Sequence, residues 1–113
     1  MVIWEEDFMS WLYLLVAAVF EVGWPVGLKM AELSSSRISW IIFAIVAMTC
    51  SGIFLYIAQK EIPIGTAYAV WTGIGASCTF AVGVLFFHDV WSPIRCLGIF
   101  LIVAGVILLK YGH

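Results

Sequence analysis

Four long apolar runs, separated by short polar segments, dominate this sequence. They extend over about residues 8–28, 38–58, 64–87 and 93–109. Each is close to the ~20 residues that an α-helix needs to cross a hydrocarbon core of about 30 Å. Lipid offers no partners for backbone polar groups, so runs of this length indicate helices. The runs predict an all-α integral membrane protein with four transmembrane helices, formed as a single domain over residues 1–113.

The composition excludes a soluble protein. Of the 113 residues, 65% are hydrophobic and only 11% are charged, against about 25% charged in an average soluble domain. The formal net charge of −2 is too small to attract nucleic acid, so no nucleic-acid partner is expected. The three cysteines, Cys50, Cys78 and Cys96, have no Cys-x-x-Cys spacing. We therefore expect buried thiols, with no metal site and no cofactor.

The basic residues are divided almost evenly between the two sides of the predicted membrane domain. Short connections make consecutive helices antiparallel. The N-terminal side then holds Lys60 and Lys110, and the other side holds Lys29, Arg37 and Arg95. Because an excess of basic residues normally decides orientation, this near balance favours insertion in both orientations and pairing of opposite copies. A chance balance in a short chain is the alternative.

Glu21 is the only acidic or basic residue well inside any run, ~11 Å of helix from the Lys29 end. A carboxylate at that depth is costly, and such residues usually line a cavity or an ion pathway. We interpret Glu21 as a functional residue on that ground. The alternative is a structural role, in which the side chain reaches towards the interface or stays protonated as a contact between helices.

Two residues that follow Glu21 in the first run support a functional role. Trp24 lies three residues further on, so it shares a helix face with Glu21 and can offer it an indole N–H or offer a cation its ring. Pro25 has no N–H and leaves the backbone carbonyl of Glu21 without its helical partner. A kink and a spare acceptor are therefore predicted. An ordinary kink without a role is the alternative.

The third run carries a second polar and aromatic face. Helical spacing places five residues on this face: Tyr68, Trp71, Thr72, Gly75 and Thr79. An adjacent ladder of small residues favours close helix packing and contains Gly65, Ala69, Gly73 and Ser77. In the fourth run, Gly98 and Gly105 share an apolar face that suits contact between subunits. Packing alone is the alternative for each ladder.

Two segments resemble signatures of the small multidrug resistance transporters. The segment 63–75, PIGTAYAVWTGIG, is similar to the third-helix signature of the family, and the segment 20–29, FEVGWPVGLK, resembles the first-helix signature of its guanidinium-exporter branch. The branch assignment depends on Trp24, because exporters of bulky quaternary ammonium drugs have a small residue there. Pro25 departs from the branch pattern. The resemblance extends from Ser10 to Lys110.

This resemblance implies a proton-coupled antiporter that exports guanidinium and small derivatives across the bacterial cytoplasmic membrane as an antiparallel homodimer. By position, Glu21 matches the carboxylate that binds both proton and substrate. Trp24 and Ser51 match residues that hydrogen-bond this carboxylate, and Tyr68 and Trp71 match aromatic walls of the binding cavity. Ser51 is identified only through the resemblance. Protons and the cation then compete for the paired acids while the dimer opens to one side at a time.

Other functions remain compatible with the sequence. An exporter of quaternary ammonium or other drug cations, and one half of a paired heterodimer, both belong to the same family. A proton-conducting rotor or channel subunit also needs one intramembrane carboxylate, and a non-transporting assembly subunit needs none. An enzyme is disfavoured, because the sequence has no nucleophile with a base, metal cluster or phosphate loop. The expected partners are a guanidinium-type cation, protons, membrane lipid and a second copy of the chain.

Overall fold

A computed structural model describes residues 3–112, with side chains described from Phe8 onward. Residues 1, 2 and 113 of the predicted domain lie outside this part. The described residues form four α-helices and no strand: α1 (Ile3–Leu33), α2 (Arg37–Ala58), α3 (Ile64–Phe86) and α4 (Pro93–Gly112). The predicted all-α fold with four helices is confirmed.

All four helices are long and apolar enough to cross a membrane, with candidate spans of 26, 22, 23 and 20 residues. Even the 20-residue span of α4 is about 30 Å long at the rise of an α-helix. Helix α1 continues beyond its apolar run to Leu33. Burial of Ala31 supports its last turns, where Lys29 and Glu32 also form an exposed ion pair of 3.6 Å.

Local sequence signals set the start of α4. Pro93 is its first residue, a position where the missing N–H costs nothing because helix N-termini leave their first amides unpaired. The preceding Ser92 accepts a hydrogen bond of 3.3 Å from the Arg95 N–H through its hydroxyl oxygen, as a helix-capping serine does. The helix therefore starts abruptly after the α3–α4 connection.

The packing of the four helices depends on small residues. Helix α1 packs against α2 and α3, and α4 packs against α3. A Cβ added to Gly27 would lie 2.8 Å from the Phe43 ring of α2, and one added to Gly73 would lie 2.7 Å from Val106 of α4. Glycine at these two positions lets the helix backbones approach closely.

The apolar core lies at the end where α1 begins. It contains Trp11, Leu14, Ala58, Ile62, Ala67 and Val70. The Lys110 ammonium lies 4.6 Å from the centre of the Trp11 ring and links the end of α4 to the start of α1. This core fixes α1, α2 and α3 relative to one another, so the polar residues further along these helices are held in register.

The chain is flat, and α4 lies at its edge. Its extents are 53 × 34 × 18 Å, so its shortest dimension is about one third of its longest. No residue of α4 is buried, and a Cβ at Gly98 or Gly105 would meet nothing within 4 Å. A single chain therefore does not surround a central site.

The expectation of buried cysteines is wrong for the single chain. Cys78 is exposed, and Cys50 and Cys96 are half-buried, all as free thiols. They lie on helix faces that no other helix of the chain covers completely. The flat arrangement of the bundle explains the difference, because it leaves many apolar side chains facing outward.

Candidate functional site

Glu21 lies in the middle of α1 and rests on the backbone of α3. Its side chain is half-buried. A Cβ added to Gly75 would lie 2.7 Å from Glu21 Cγ and 3.2 Å from Glu21 Cβ, so the missing side chain of Gly75 provides the room that Glu21 occupies. Within residues 8–112, the Glu21 carboxylate has no hydrogen bond or ion pair. It is therefore available to a proton or a ligand.

Ser51 of α2 joins three helices at the level of Ala17, which lies one turn before Glu21 on α1. Its side chain is fully buried. The Ser51 hydroxyl donates a hydrogen bond of 2.7 Å to the Ala17 carbonyl of α1 and accepts one of 2.8 Å from the Trp71 indole Nε1–H of α3. All the hydrogen-bonding groups at this junction are satisfied, which is what a buried polar contact between membrane helices requires.

The aromatic residues of α3 form a pair. The rings of Tyr68 and Trp71 are 5.3 Å apart and tilted by 51°. Trp71 is half-buried. Its N–H already donates to Ser51, so it offers a ligand its ring but no hydrogen-bond donor. Tyr68 is 57% exposed. A cation that approaches this side of α3 meets aromatic rings, which attract positive charge.

Neither Trp24 nor Ser51 forms a hydrogen bond with the Glu21 carboxylate in the described part of the single chain. Trp24 is half-buried and makes no hydrogen bond or ring contact with any other residue of the described part. Ser51 is bonded to Ala17, the residue one turn before Glu21 on the same face of α1. The roles of Glu21, Trp24, Ser51, Tyr68 and Trp71 in binding stay predictions, and the structure shows how each is placed.

Two hydroxyls of α3 are turned towards their own helix. Ser77 donates to the Gly73 carbonyl at 2.8 Å, and Thr79 donates to the Gly75 carbonyl at 2.7 Å. This is the usual arrangement of serine and threonine within helices. The polar face of α3 therefore offers fewer free donors than its sequence pattern indicates.

The contact between Glu21 and Gly75 was not predicted from the sequence. Gly75 stands out in the sequence only as part of the face shared with Tyr68 and Trp71. Such a contact is indicated when one helix has a glycine on its face and another has a half-buried acid. The two residues can be paired only when the register between the helices is known. The same holds for Ser51 and the Ala17 carbonyl.

These features define a class of protein: a four-span membrane protein whose first span carries an acid with no partner among the described residues and whose third span carries an aromatic pair. Residues 9–102 match the family described as Small Multidrug Resistance protein. The chain belongs to the small multidrug resistance family, and it is a multi-pass protein of the bacterial inner membrane.

Curated relatives cover nearly the whole chain. A guanidinium exporter of Salmonella typhimurium is 48% identical over 102 residues, which are 90% of this chain and 96% of that protein. A guanidinium exporter of Citrobacter freundii is 46% identical over the same shares. A guanidinium exporter of Yersinia pseudotuberculosis is 44% identical over 90% of this chain and 97% of its own length. These relatives are transporters.

Proposed function

We propose that this chain is a proton-coupled antiporter that exports guanidinium and small guanidinium derivatives across the cytoplasmic membrane, and that it is not an enzyme. The observation that carries the proposal is the Glu21 carboxylate, which is half-buried within a membrane span, lies against Gly75 and has no partner among the described residues. The names of the relatives, guanidinium exporters at 44–48% identity, support the substrate class.

The chemistry of guanidinium suits a site built around a carboxylate. Guanidinium is planar and its N–H groups match the two carboxylate oxygens in a bidentate arrangement. A quaternary ammonium ion has no N–H to donate and depends on ring faces and on space. Trp24 lies within one turn of Glu21 and is half-buried, so its indole occupies volume that a bulky cation needs. This favours the small planar cation.

The proposal includes an antiparallel homodimer. One chain is only 18 Å thick and leaves α4 with no buried residue, so it needs a second surface to close a cavity around Glu21. The near balance of basic residues between the two sides supports pairing of oppositely oriented copies. Two copies of Glu21 then share one central site, and they bind protons as a coupled pair.

Coupling follows from competition at the same carboxylates. A carboxylate that holds a proton does not form a charged fork with guanidinium, and release of the cation leaves it ready for a proton. The Ser51 junction connects α1, α2 and α3 at this level, so the aromatic pair moves together with α1. If the dimer opens to one side at a time, inward proton flow drives outward export.

The test is transport by purified protein in liposomes with an imposed proton gradient. Wild type is expected to exchange guanidinium for protons, and Glu21→Gln is expected to lose both fluxes. Glu61→Gln provides the matched control, because Glu61 is an exposed acid of the α2–α3 connection and loses the same charge. Equal guanidinium transport by wild type and Glu21→Gln would contradict the mechanism. Transport of a bulky quaternary cation without guanidinium would contradict the substrate assignment.

A further inference from the structure

A cavity of about 210 Å³ lies between the second halves of α1 and α3. Pro25 and Lys29 line it from α1, and Thr79 and Gly83 line it from α3. Because ~10–15 Å³ is enough for one water molecule, a cavity of this size has room for several. It is large enough for a small hydrated cation.

The cavity begins about one helical turn beyond Glu21. Pro25 lies one turn after Glu21 on α1, and Thr79 lies one turn after Gly75, the residue on which Glu21 rests. The cavity therefore lies between the Glu21 carboxylate and the end of the bundle where α1 and α3 finish. A cation that moves along the α1–α3 seam towards Glu21 passes through it.

Asp89 is held at the mouth of this cavity by the local backbone. His88 adopts a left-handed conformation with φ 59°, which turns the chain sharply after α3, and His is among the residues that tolerate it. The Asp89 N–H then donates to the Gly83 carbonyl at 3.1 Å. A Cβ on Gly83 would overlap Asp89 Oδ2, so the carboxylate lies directly over the missing side chain of Gly83.

The carboxylate of Asp89 is exposed and has no hydrogen bond or ion pair with the described residues. The Thr79 hydroxyl deeper in the cavity donates to its own helix, so its lone pairs remain free to accept. The lining therefore offers the Asp89 carboxylate and the Thr79 hydroxyl oxygen as acceptors, which suits a cation with several N–H groups.

Lys29 is the one basic residue lining the cavity. Its ammonium lies 3.6 Å from the Glu32 carboxylate, an exposed pair of the kind that contributes little stability. The charge of Lys29 still acts on a cation in the cavity and opposes the attraction by Asp89. The two side chains therefore have opposite effects on the same cation, and this makes them separable by experiment.

We propose that this cavity is an entry subsite for the guanidinium-type cation, in which Asp89 attracts the cation on its way to Glu21 and Lys29 limits its occupancy. The inference rests on the proposed function and adds a second binding position to it. In an antiparallel dimer, each chain supplies one such subsite, so both faces of the membrane have one. Attraction by an exposed carboxylate raises the rate of cation entry and is screened by salt.

The test compares guanidinium transport by Asp89→Asn and Lys29→Gln in liposomes at low and high ionic strength. The Debye length is ~30 Å at 0.01 M and ~3 Å at 1 M ionic strength. At low salt, Asp89→Asn is expected to lower kcat/KM by about threefold to tenfold with kcat unchanged. Lys29→Gln is expected to raise kcat/KM by a similar factor. Both differences are expected to disappear at high salt.

Three further variants control for charge and for geometry. Glu61→Gln removes an exposed acid of the α2–α3 connection, and Arg37→Gln removes the basic first residue of α2. Neither residue lines this cavity, and both variants are expected to behave like wild type. Gly83→Ala displaces the Asp89 carboxylate without changing any charge and is expected to reproduce part of the Asp89→Asn effect.

An unchanged kcat/KM for Asp89→Asn at low salt would overturn the inference, as would a decrease for both Asp89→Asn and Lys29→Gln. An Asp89→Asn defect that persists at high salt would overturn it as well, because a structural effect is not screened. Absence of guanidinium transport by wild type would reject the proposed function instead, so the two failures are distinguishable.

Discussion

Two polar residues at neighbouring levels of the bundle have opposite surroundings. Ser51 is fully buried, and its hydroxyl both donates to Ala17 and accepts from Trp71. Glu21, one turn further along α1 from Ala17, is half-buried and unpaired within the described chain. A buried polar group that is fully bonded stabilises a structure, whereas one left unpaired within a membrane span is costly and is retained for a function. We therefore interpret the Ser51 junction as the scaffold of the bundle and propose Glu21 as the functional residue.

Among substitutions that keep the Glu21 side chain, the largest expected effect comes from filling the space beneath it. In Gly75→Ala, the new Cβ would lie 2.7 Å from Glu21 Cγ, so the carboxylate must move. Because a displacement of ~1 Å at a reacting group costs up to about a hundredfold in rate, kcat/KM for guanidinium is expected to fall by about tenfold to a hundredfold. This kcat/KM is measured from the initial rates of guanidinium transport into liposomes.

Gly65→Ala is the matched control, since a Cβ at Gly65 meets nothing within 4 Å. Both substitutions replace glycine by alanine within α3, which favours the helix by about 1 kcal/mol, so lost helix stability does not account for a defect. Equal transport by the two variants would show that the Glu21–Gly75 contact does not matter.

A smaller effect, mainly on stability, is expected at the scaffold. Ser51→Ala removes the donor to Ala17 and the acceptor for Trp71, and hydrogen bonds between membrane helices contribute about 1–2 kcal/mol in model peptides. The free energy of unfolding in detergent is expected to fall by about that amount. Transport falls less than in Gly75→Ala, because Glu21 keeps its position.

Thr49→Ala serves as the comparison for Ser51→Ala. The Thr49 hydroxyl donates only to Ile45 of its own helix at 2.9 Å and is exposed, so its removal leaves no group unpaired between helices. A stability loss as large in Thr49→Ala as in Ser51→Ala would remove the distinction between a junction and an ordinary hydroxyl.

A third expected effect, on selectivity and not on stability, is a change of substrate preference at Trp24. In Trp24→Ala, the volume next to Glu21 increases while the carboxylate remains. The ratio of transport rates for a bulky quaternary cation and guanidinium is expected to rise by about tenfold, the equivalent of ~1.4 kcal/mol. Competition assays in liposomes measure the ratio. An unchanged ratio would indicate that Trp24 does not limit the size of the site.

The sequence predicts the helices of this fold well because apolar length is a direct consequence of the membrane thickness. Glu21 is also visible in the sequence, since an acid within an apolar run has few explanations. The contact between Glu21 and Gly75 and the bond from Ser51 to the Ala17 carbonyl are not visible. Each depends on how far one helix is shifted along another, and apolar periodicity does not specify this shift.

The expected burial of the cysteines failed for a related reason. Apolar surroundings in the sequence indicate an apolar environment, and in a membrane protein lipid or a second copy supplies it as readily as the interior of the chain. Cys78 is exposed on α3 for this reason. Hydrophobicity predicts that a residue avoids water and does not specify what covers it.

The most direct test of the central claim is the pH dependence of guanidinium binding to the purified protein. If protons and the cation compete for Glu21, the apparent Kd is expected to increase as the pH falls, by up to about tenfold per pH unit for each competing proton. Glu21→Gln is expected to bind guanidinium weakly at every pH. A Kd for the wild type that does not change with pH, or undiminished binding by Glu21→Gln, would contradict the account.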